Sequence, residues 1–515
     1  MKRLMYLALM LVSALIVGIA CSDGGQDGGV SPGGTASPTV QAGSEIDFSS
    51  ASGIDGGDPE FNFTALIWQG YWLSRDHFGP FVMASGMGIP FEPPMDQIQM
   101  AMAMVAQNPA DPIVIPPNML PLQAVFASGS SDLVNDPRDF DPQDFEAFRL
   151  DPSTFDETVM VSAQAETMLK ESQWARAFAS SHFGDPQGDF GAQQRFIGVM
   201  VAMLAQLQGQ YAMQNLLGDA GLYLDSDGAL DYTGNWVMLH ALADIASLTG
   251  EENGRYQNLT VYPMLEDAAT QLFRALEDRQ PESPREAATA IRALIYRAWT
   301  AEDSGVRDAA LAKAGSIADS QLVDFTSDDV FENAAAIAGL VAIGVAEDNR
   351  EYRNAADGLF QRLSDDFDSS RGMFTSTDIY NVDDVAWIIG GLNALVQEGN
   401  DATRGPAARM LLAFYESTIS LGGMQLSAPP GKNGAMAGDW EKVNLPSVVY
   451  YHPANTPAPP MVGKLTVPAE EITWNGDAWQ VTSDRFVTAG AMHLANEMNW
   501  LGPHLGSVPF PPVAP

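Results

Sequence analysis

Two kinds of predicted helix alternate from about Thr158 onward, and this alternation is the feature that most constrains the fold. In one kind, apolar residues fall on nearly every face, which predicts helices that are buried on all sides. In the other kind, as in 261–276 and 350–363, one apolar stripe lies opposite charged residues, as expected of outer helices. The alternation predicts a mainly α fold, a closed or curved array of helical hairpins. The predicted inner helices are 232–249, 285–299, 330–345 and 384–396.

A weak internal repeat supports this architecture. Gly221 opens a Gly-Leu-Tyr stretch fifteen residues before Trp236, and Gly372 opens a Gly-Met-Phe stretch fifteen residues before Trp387. A third, looser copy begins at Gly423. Repeated loops that each lead into an inner helix are typical of a closed or curved array of hairpins.

Two local signals fix element boundaries. Ser283 and Glu286 form a capping box with Pro284 at the first helical position, so a helix is predicted to begin there. Near the C-terminus, an Asn-Gly turn at Asn475 lies between β-prone flanks, which predicts a small β-hairpin over 472–481. A final inner-type helix over about 486–500 and a proline-rich tail follow.

The N-terminus has the layout of an exported lipoprotein. A short positive region, Lys2 and Arg3, precedes an apolar run of about sixteen residues that ends before Cys21, which is short for a membrane-spanning helix. The sequence before Cys21 resembles a lipobox, in which the cysteine sulfur is acylated. Residues 1–20 are therefore predicted to be a signal peptide, and the chain is predicted to face the extracytoplasmic side of a membrane, at the outer membrane or cell surface.

Composition sets further bounds. Residues 21–60 are predicted to hold the lipidated cysteine and a flexible tether, 61–157 an irregular helical part rich in methionine and aromatic residues, and 158–515 the hairpin domain. Cys21 is the only cysteine, which excludes an intramolecular disulfide and a thiolate metal cluster. The net charge of -39 disfavours nucleic acid as a partner. No phosphate loop or dinucleotide fingerprint is present, so ATP and NAD chemistry have no support.

Two stretches carry a resemblance to a known architecture. Gly221-Leu222-Tyr223-Leu224-Asp225-Ser226-Asp227-Gly228 is similar to the loops that precede inner helices in N-acylglucosamine 2-epimerase relatives. Tyr380-Asn381-Val382-Asp383-Asp384-Val385-Ala386-Trp387 is similar to the stretch that carries the catalytic carboxylates in six-hairpin glycosidases. The resemblance, over about 158–500, implies an (α/α)6 toroid that acts on carbohydrate, and the epimerase relatives use inner-helix histidines as proton-transfer bases.

Acidic residues at the predicted mouths of inner helices are the catalytic candidates. Asp383 and Asp384 are adjacent and so point about 100° apart. This predicts that one carboxylate faces the cavity as acid or nucleophile, while the other orients that carboxylate or binds a sugar hydroxyl. Glu332 lies in the first turn of a very apolar helix, where burial would raise its pKa toward general-acid use. The alternative interpretation is that these acids cap helix N-termini.

Aromatic and histidine side chains on the same helices are the substrate-binding candidates. Trp236, Trp387 and Trp440 are possible sugar-stacking platforms, and His240 lies on an inner-type helix. The alternative for His240 is a satisfied core residue.

An acidic loop is the metal candidate. Asp225, Asp227 and Asp231 offer oxygen ligands around Gly228, which would suit Ca²⁺, although the loop is shorter than an EF-hand loop and lacks its distal glutamate. The alternative is an Asp-rich turn without metal. No other cofactor is implied.

Two functions remain open from the sequence. The first is a membrane-anchored protein that binds or cleaves carbohydrate through carboxylates at the cavity, with a polysaccharide as its partner. The second is a non-enzymatic envelope lipoprotein that binds a metal, a small molecule or an envelope protein on the same scaffold.

Overall fold

The mainly helical fold class is confirmed. The computed structural model describes residues 53–55, 57, 61–92, 95–105, 113, 115, 117–134, 145–179, 191–250, 262–426, 464–499 and 501. The predicted signal peptide, Cys21, nearly all of the tether, Trp440 and the proline-rich tail lie outside these residues.

Thirteen α-helices lie within the described ranges. In chain order they are α1 (Phe63–Ala84), α2 (Met95–Val105), α3 (Val161–Ala179), α4 (Gly191–Asn215), α5 (Tyr232–Gly250), α6 (Tyr262–Leu276), α7 (Pro284–Thr300), α8 (Ser304–Gln321), α9 (Val330–Ala346), α10 (Arg350–Asp366), α11 (Val382–Glu398), α12 (Asp401–Tyr415) and α13 (Thr488–Met498). A π-helical turn, Glu416–Leu421, continues α12.

Six of these helices contact one another in a closed cycle. The cycle runs α3, α5, α7, α9, α11, α13 and back to α3. Each member also packs against a second helix, which is α4, α6, α8, α10, α12 or α1 in the same order. The predicted inner helices are members of the cycle. In α5 and α9 nearly every residue after the first turn is buried, because the cycle covers one face and the backing helix covers the other.

Short strands in the loops between helices pair into small antiparallel sheets. The strands are β1 (Gly88–Pro90), β2 (Leu122–Val125), β3 (Ser128–Ser130), β4 (Phe367–Asp368), β5 (Met373–Phe374), β6 (Ile379–Asn381), β7 (Glu471–Trp474), β8 (Trp479–Ser483) and β9 (Arg485–Val487). The predicted C-terminal hairpin is confirmed as β7 paired with β8, and β6, which leads directly into α11, pairs with the other edge of β7. The remaining pairs among the described strands are β1–β2, β3–β9 and β4–β5.

The repeat seen in the sequence has a backbone basis. Gly221, Gly372 and Gly423 adopt φ values of 78°, 66° and 77°, a left-handed conformation that favours glycine. The predicted helix start at α7 is also confirmed, because the Ser283 hydroxyl accepts a hydrogen bond from the backbone N–H of Glu286 at 3.1 Å.

Candidate functional site

A cavity of about 330 Å³ lies among the helices of the cycle. Its walls are built in layers, because the lining residues occupy the same positions in successive helices, counted from the first residue of each. Second residues form the mouth layer: Ser162, Thr233, Arg285, Asp383 and Ala489. Sixth residues form the next layer: Glu166, Val237, Thr289, Trp387 and His493. Ninth residues form the third layer: Leu169, His240, Arg292, Ala338, Gly390 and Asn496.

The same face of each helix continues deeper. In α3 the lining includes Gln173 and Arg176, and in α11 it reaches Gln397. From Asp383 to Gln397 the helix rises about 20 Å at 1.5 Å per residue. Steps of four and three residues keep a side chain on one face of an α-helix. One face of each of these helices lines the cavity, and polar residues lie on that face. This arrangement explains why helices that are buried within the fold still carry polar side chains.

Alternating charges form a chain along the cavity wall. Arg285 donates to Oδ2 of Asp383 at 3.3 Å, and Oδ1 of Asp383 lies 2.8 Å from Nδ1 of His493. Nε2 of His493 is 3.6 Å from Oε1 of Glu497, and that oxygen is 2.6 Å from the Arg292 guanidinium. The chain joins the mouth layer to the third layer through helices α7, α11 and α13.

The chain is ionised throughout at neutral pH. Burial opposes charge on His493, but its contacts with Asp383 and Glu497 outweigh burial and raise its pKa to about 10. Burial likewise opposes charge on Glu497, and the nearby Arg292 and His493 lower its pKa to about 2. Asp383 follows the same pattern, with His493 and Arg285 holding its pKa below the ordinary value despite burial. Each of these three inner charges is thus fixed by opposite charges on both sides.

Two polar atoms in the third layer have no hydrogen-bond partner among the described residues. They are Nε2 of His240 and Oδ1 of Asn496. The His240 ring packs 4.0 Å from the ring of Tyr296, and burial lowers the pKa of His240 to about 3, so the ring is neutral. The Asn496 amide nitrogen donates to Oε2 of Glu166 at 2.7 Å and to its backbone oxygen at 3.1 Å. These two bonds fix the orientation of the amide group, so Oδ1 remains available to accept a hydrogen bond.

The three predicted catalytic carboxylates meet, but around an arginine and not around an open site. Arg285 lies 2.6 Å from Asp384, 3.3 Å from Asp383 and 3.4 Å from Glu332. Only Asp383 lines the cavity. Asp384 and Glu332 are third residues of their helices, about 100° of rotation away from the lining face. Of the adjacent pair, Asp383 faces the cavity and Asp384 does not, whereas Glu332, also a candidate, does not line the cavity. Burial raises the pKa of both Asp384 and Glu332.

The capping alternative has partial support. The N-cap of α11 is Asn381, whose side chain accepts from the backbone N–H of Asp384 at 2.9 Å. The N-cap of α9 is Asp329, not Glu332. The acids therefore flank these helix starts, while Asn381 and Asp329 make the capping bonds.

The two described tryptophans of the repeat differ in position. Trp387, a sixth residue, lines the cavity and packs edge-on against His493 with ring centroids 4.8 Å apart. Trp236 is the fifth residue of α5, is fully buried and does not line the cavity. Its prediction as a stacking platform is corrected for this reason, since no face of the ring is accessible. His240, also predicted, does line the cavity.

The acidic loop has backbone partners. Oδ1 of Asp225 accepts from the N–H of Val161, the first residue of α3, at 2.7 Å, and Oδ1 of Asp227 accepts from Ala229 at 3.0 Å. In the described part of the chain, no group of three or more His, Cys, Asp or Glu side chains is placed to hold a metal ion. Asp231 lies beside Gly234 at the start of α5. The loop thus ties α3 to α5.

Sequence reasoning missed most of the charge chain. Arg285, Arg292 and Glu497 were not among the predicted site residues, and neither was Glu166. Their common signal is a polar side chain at the second, sixth, ninth or tenth position of a helix that is otherwise apolar on every face. That signal could be used only after the first residue of each helix was known.

Comparisons with known proteins give no family assignment. The chain matches no protein-family model, and no curated protein matches it with significance. Among the described residues, one helical stretch, Arg195–Asn215 within α4, is long and apolar enough to span a membrane, and 67% of it is buried within the fold.

Proposed function

We propose that the chain is a lipid-anchored extracytoplasmic protein that binds a carbohydrate in the cavity of an α/α toroid. The cyclic order of helix contacts supports the toroid interpretation. The observation that carries the proposal is the cavity itself, which has the size of a small-molecule site and combines fixed polar groups with an aromatic side chain, Trp387. Sugars are bound by such combinations, because hydroxyl groups need hydrogen-bond partners and the apolar faces of sugar rings pack on aromatic rings.

The charges favour binding over cleavage by the predicted carboxylates. Glycoside cleavage needs one protonated carboxylic acid and one accessible carboxylate beside the scissile bond. Asp383 and Glu497 are both held between an arginine and His493, so neither is free to attack a sugar or to activate water. Asp384 and Glu332 lie off the cavity wall.

A binding measurement tests the proposal. The full-length chain in detergent is titrated calorimetrically with a panel of monosaccharides and short oligosaccharides, beside a Trp387→Leu variant. We expect at least one saccharide to bind the wild type, and its affinity to fall about tenfold or more in the variant because the ring contact is lost. Absence of binding across the panel contradicts the proposal.

Cleavage is the second candidate, and one residue favours it. Glu166 lines the cavity, and burial raises its pKa, the property that a general acid needs. Incubation of the protein with the same panel, followed by product analysis, tests this role. If the cavity cleaves, Glu166→Gln abolishes turnover, whereas Asp384→Asn, which alters a residue off the cavity wall, retains most of it.

The anchor is tested separately. Cys21 is proposed to carry the lipid. In the native host, the wild type should incorporate labelled palmitate and sediment with membranes, whereas Cys21→Ser should do neither. A Cys21→Ser chain that still sediments with membranes and carries label would contradict the anchor.

A further inference from the structure

We infer that the ligand of this cavity is an uncharged, polyhydroxylated molecule whose hydroxyl groups bond to Nε2 of His240 and Oδ1 of Asn496. This inference rests on the proposed function and narrows its ligand class. It excludes uronic acids and other anionic sugars as the preferred ligand, although the cavity wall contains arginine.

The first step concerns charge. Three arginines line the described cavity, and each is paired with a carboxylate: Arg176 with Asp244 at 2.6 Å, Arg285 with Asp383 and Asp384, and Arg292 with Glu497 at 2.6 Å. An anionic ligand would have to displace one of these carboxylates, of which Asp244, Asp384 and Glu497 are buried and would be left without a partner. The arginines of the wall are thus balanced by carboxylates before a ligand enters.

The second step concerns the two unsatisfied atoms of the third layer. His240 and Asn496 line the cavity, and Nε2 of His240 and Oδ1 of Asn496 are buried and lack a hydrogen-bond partner among the described residues. Both residues occupy the ninth position, in α5 and in α13, so they lie in one layer at one depth. The helices α5 and α13 both contact α3, on its two sides. Buried polar groups normally have partners, and a ligand at this depth would supply them.

The third step concerns which ligand group fits. Oδ1 of Asn496 is a carbonyl oxygen and can only accept a hydrogen bond, and the bonds from its amide nitrogen to Glu166 fix which end of the amide it is. The ligand must therefore donate a hydrogen bond to Oδ1. Neutral His240 can accept or donate at Nε2, according to its tautomer. A hydroxyl group does both. A carboxylate group is only an acceptor at neutral pH and could not satisfy Oδ1 of Asn496.

Matched ligands and variants test the inference. The full-length chain is titrated with neutral saccharides such as glucose and its disaccharides, and with the corresponding uronic acids. We expect neutral members to bind at least tenfold more tightly. His240→Phe keeps the ring against Tyr296 but removes Nε2, so the affinity for the neutral ligand should fall about tenfold. His240→Gln, which restores a polar group, should recover part of that loss.

A gain-of-function variant tests the charge balance directly. Glu497→Gln removes the carboxylate that Arg292 contacts and makes the net charge of the cavity more positive by one. We expect this variant to bind the uronic acid about tenfold more tightly than the wild type does. An unchanged affinity for the uronic acid would overturn the charge-balance argument.

The outcomes separate the two proposals. Preferential binding of the uronic acid by the wild type refutes the inference and leaves carbohydrate binding intact. Equal binding by wild type and His240→Phe refutes the role of His240. Failure of every neutral and acidic saccharide to bind the folded wild type refutes the proposed function.

Discussion

Nδ1 of His493 and Oδ1 of Asp383 lie 2.8 Å apart, and this contact joins α13, the last described helix, to the start of α11. The two residues are 110 positions apart in sequence. The contact is flanked by Arg285 on one side and Glu497 on the other, so it is the centre of the charge chain. Loss of this pair would remove one of the carboxylates around Arg285 and one of the two charged partners of Glu497.

The contact predicts a pH-dependent contribution to stability. Because the folded-state pKa of His493 is about 10, above its ordinary value of 6.5, the stabilisation is complete below pH 6.5 and disappears as pH rises toward 10. We expect His493→Gln to reduce the free energy of unfolding by about 3 kcal/mol at pH 6. Urea unfolding of wild type and variant at pH 6, 8 and 10 measures the difference. A gap that stays constant over this range would contradict the assignment.

A second pH effect should have the opposite sign. Burial lowers the pKa of His240 to about 3, so protonation of the unfolded chain below pH 6.5 favours unfolding. The cost is at most about 1.4 kcal/mol for each pH unit below 6.5. His240→Phe should therefore lose less stability than the wild type between pH 7 and pH 4. The buried His77, whose pKa is also about 3, is unchanged in both proteins and cancels from the comparison. Parallel stability curves would show that His240 is not neutral in the fold.

The tryptophans of the repeat should separate stability from binding. Trp236 is fully buried away from the cavity, so Trp236→Phe should lower the free energy of unfolding by about 1–3 kcal/mol and leave saccharide affinity unchanged at a temperature where the variant is folded. Trp387→Leu should weaken binding. Calorimetric titration and urea unfolding of both variants test this. Equal losses of affinity would place Trp236 at the ligand.

Two helix glycines should respond to alanine in opposite directions. A Cβ at Gly391 in α11 would lie 2.4 Å from the backbone oxygen of Ala334 in α9, so Gly391→Ala must push the two helices apart at a cost of about 2 kcal/mol. A Cβ at Gly358 in α10 meets nothing within 4 Å, so Gly358→Ala should stabilise the chain by about 0.5–1 kcal/mol. Thermal or urea unfolding measures both. Stabilisation by Gly391→Ala would contradict the close approach of the helices.

The helices were predictable because burial leaves a periodic trace in sequence. The predicted 232–249 is observed as Tyr232–Gly250 and 330–345 as Val330–Ala346, with errors of about one residue. The site was harder, because a shift of one residue rotates a side chain by about 100°. Trp236 and Trp387 share a loop motif and a spacing, yet Trp236 is a fifth residue and Trp387 a sixth. Elsewhere the errors are larger, since the predicted 384–396 is observed as Val382–Glu398. Sequence patterns therefore place a helix end to within one to three residues, and that precision does not establish which side chains face the cavity.

The charge chain could not be predicted for a different reason. Arg285, Asp383, His493 and Glu497 come from three helices, and their contacts depend on how α13 packs between α11 and α3. The sequence around each residue does not indicate which distant helices pack together. Asp383 was proposed from its neighbours in the chain, whereas its role depends on a histidine far from it in sequence.

Because the lining residues occupy the same positions in successive helices, the position of a residue from the start of its helix indicates its depth in the cavity. In five helices the residue at a given count from the helix start lies at the same level of the wall, so the chemistry met at each depth follows from counting. A change of specificity could therefore be confined to one level by substitutions at a single count. One extra residue within the first turn of a helix would rotate all of the later lining side chains of that helix by about 100°, out of the cavity. The same insertion in a connecting loop would leave those side chains in place. Insertions and deletions in proteins that share this ancestry should accordingly lie in the loops and not in the first turns of the helices.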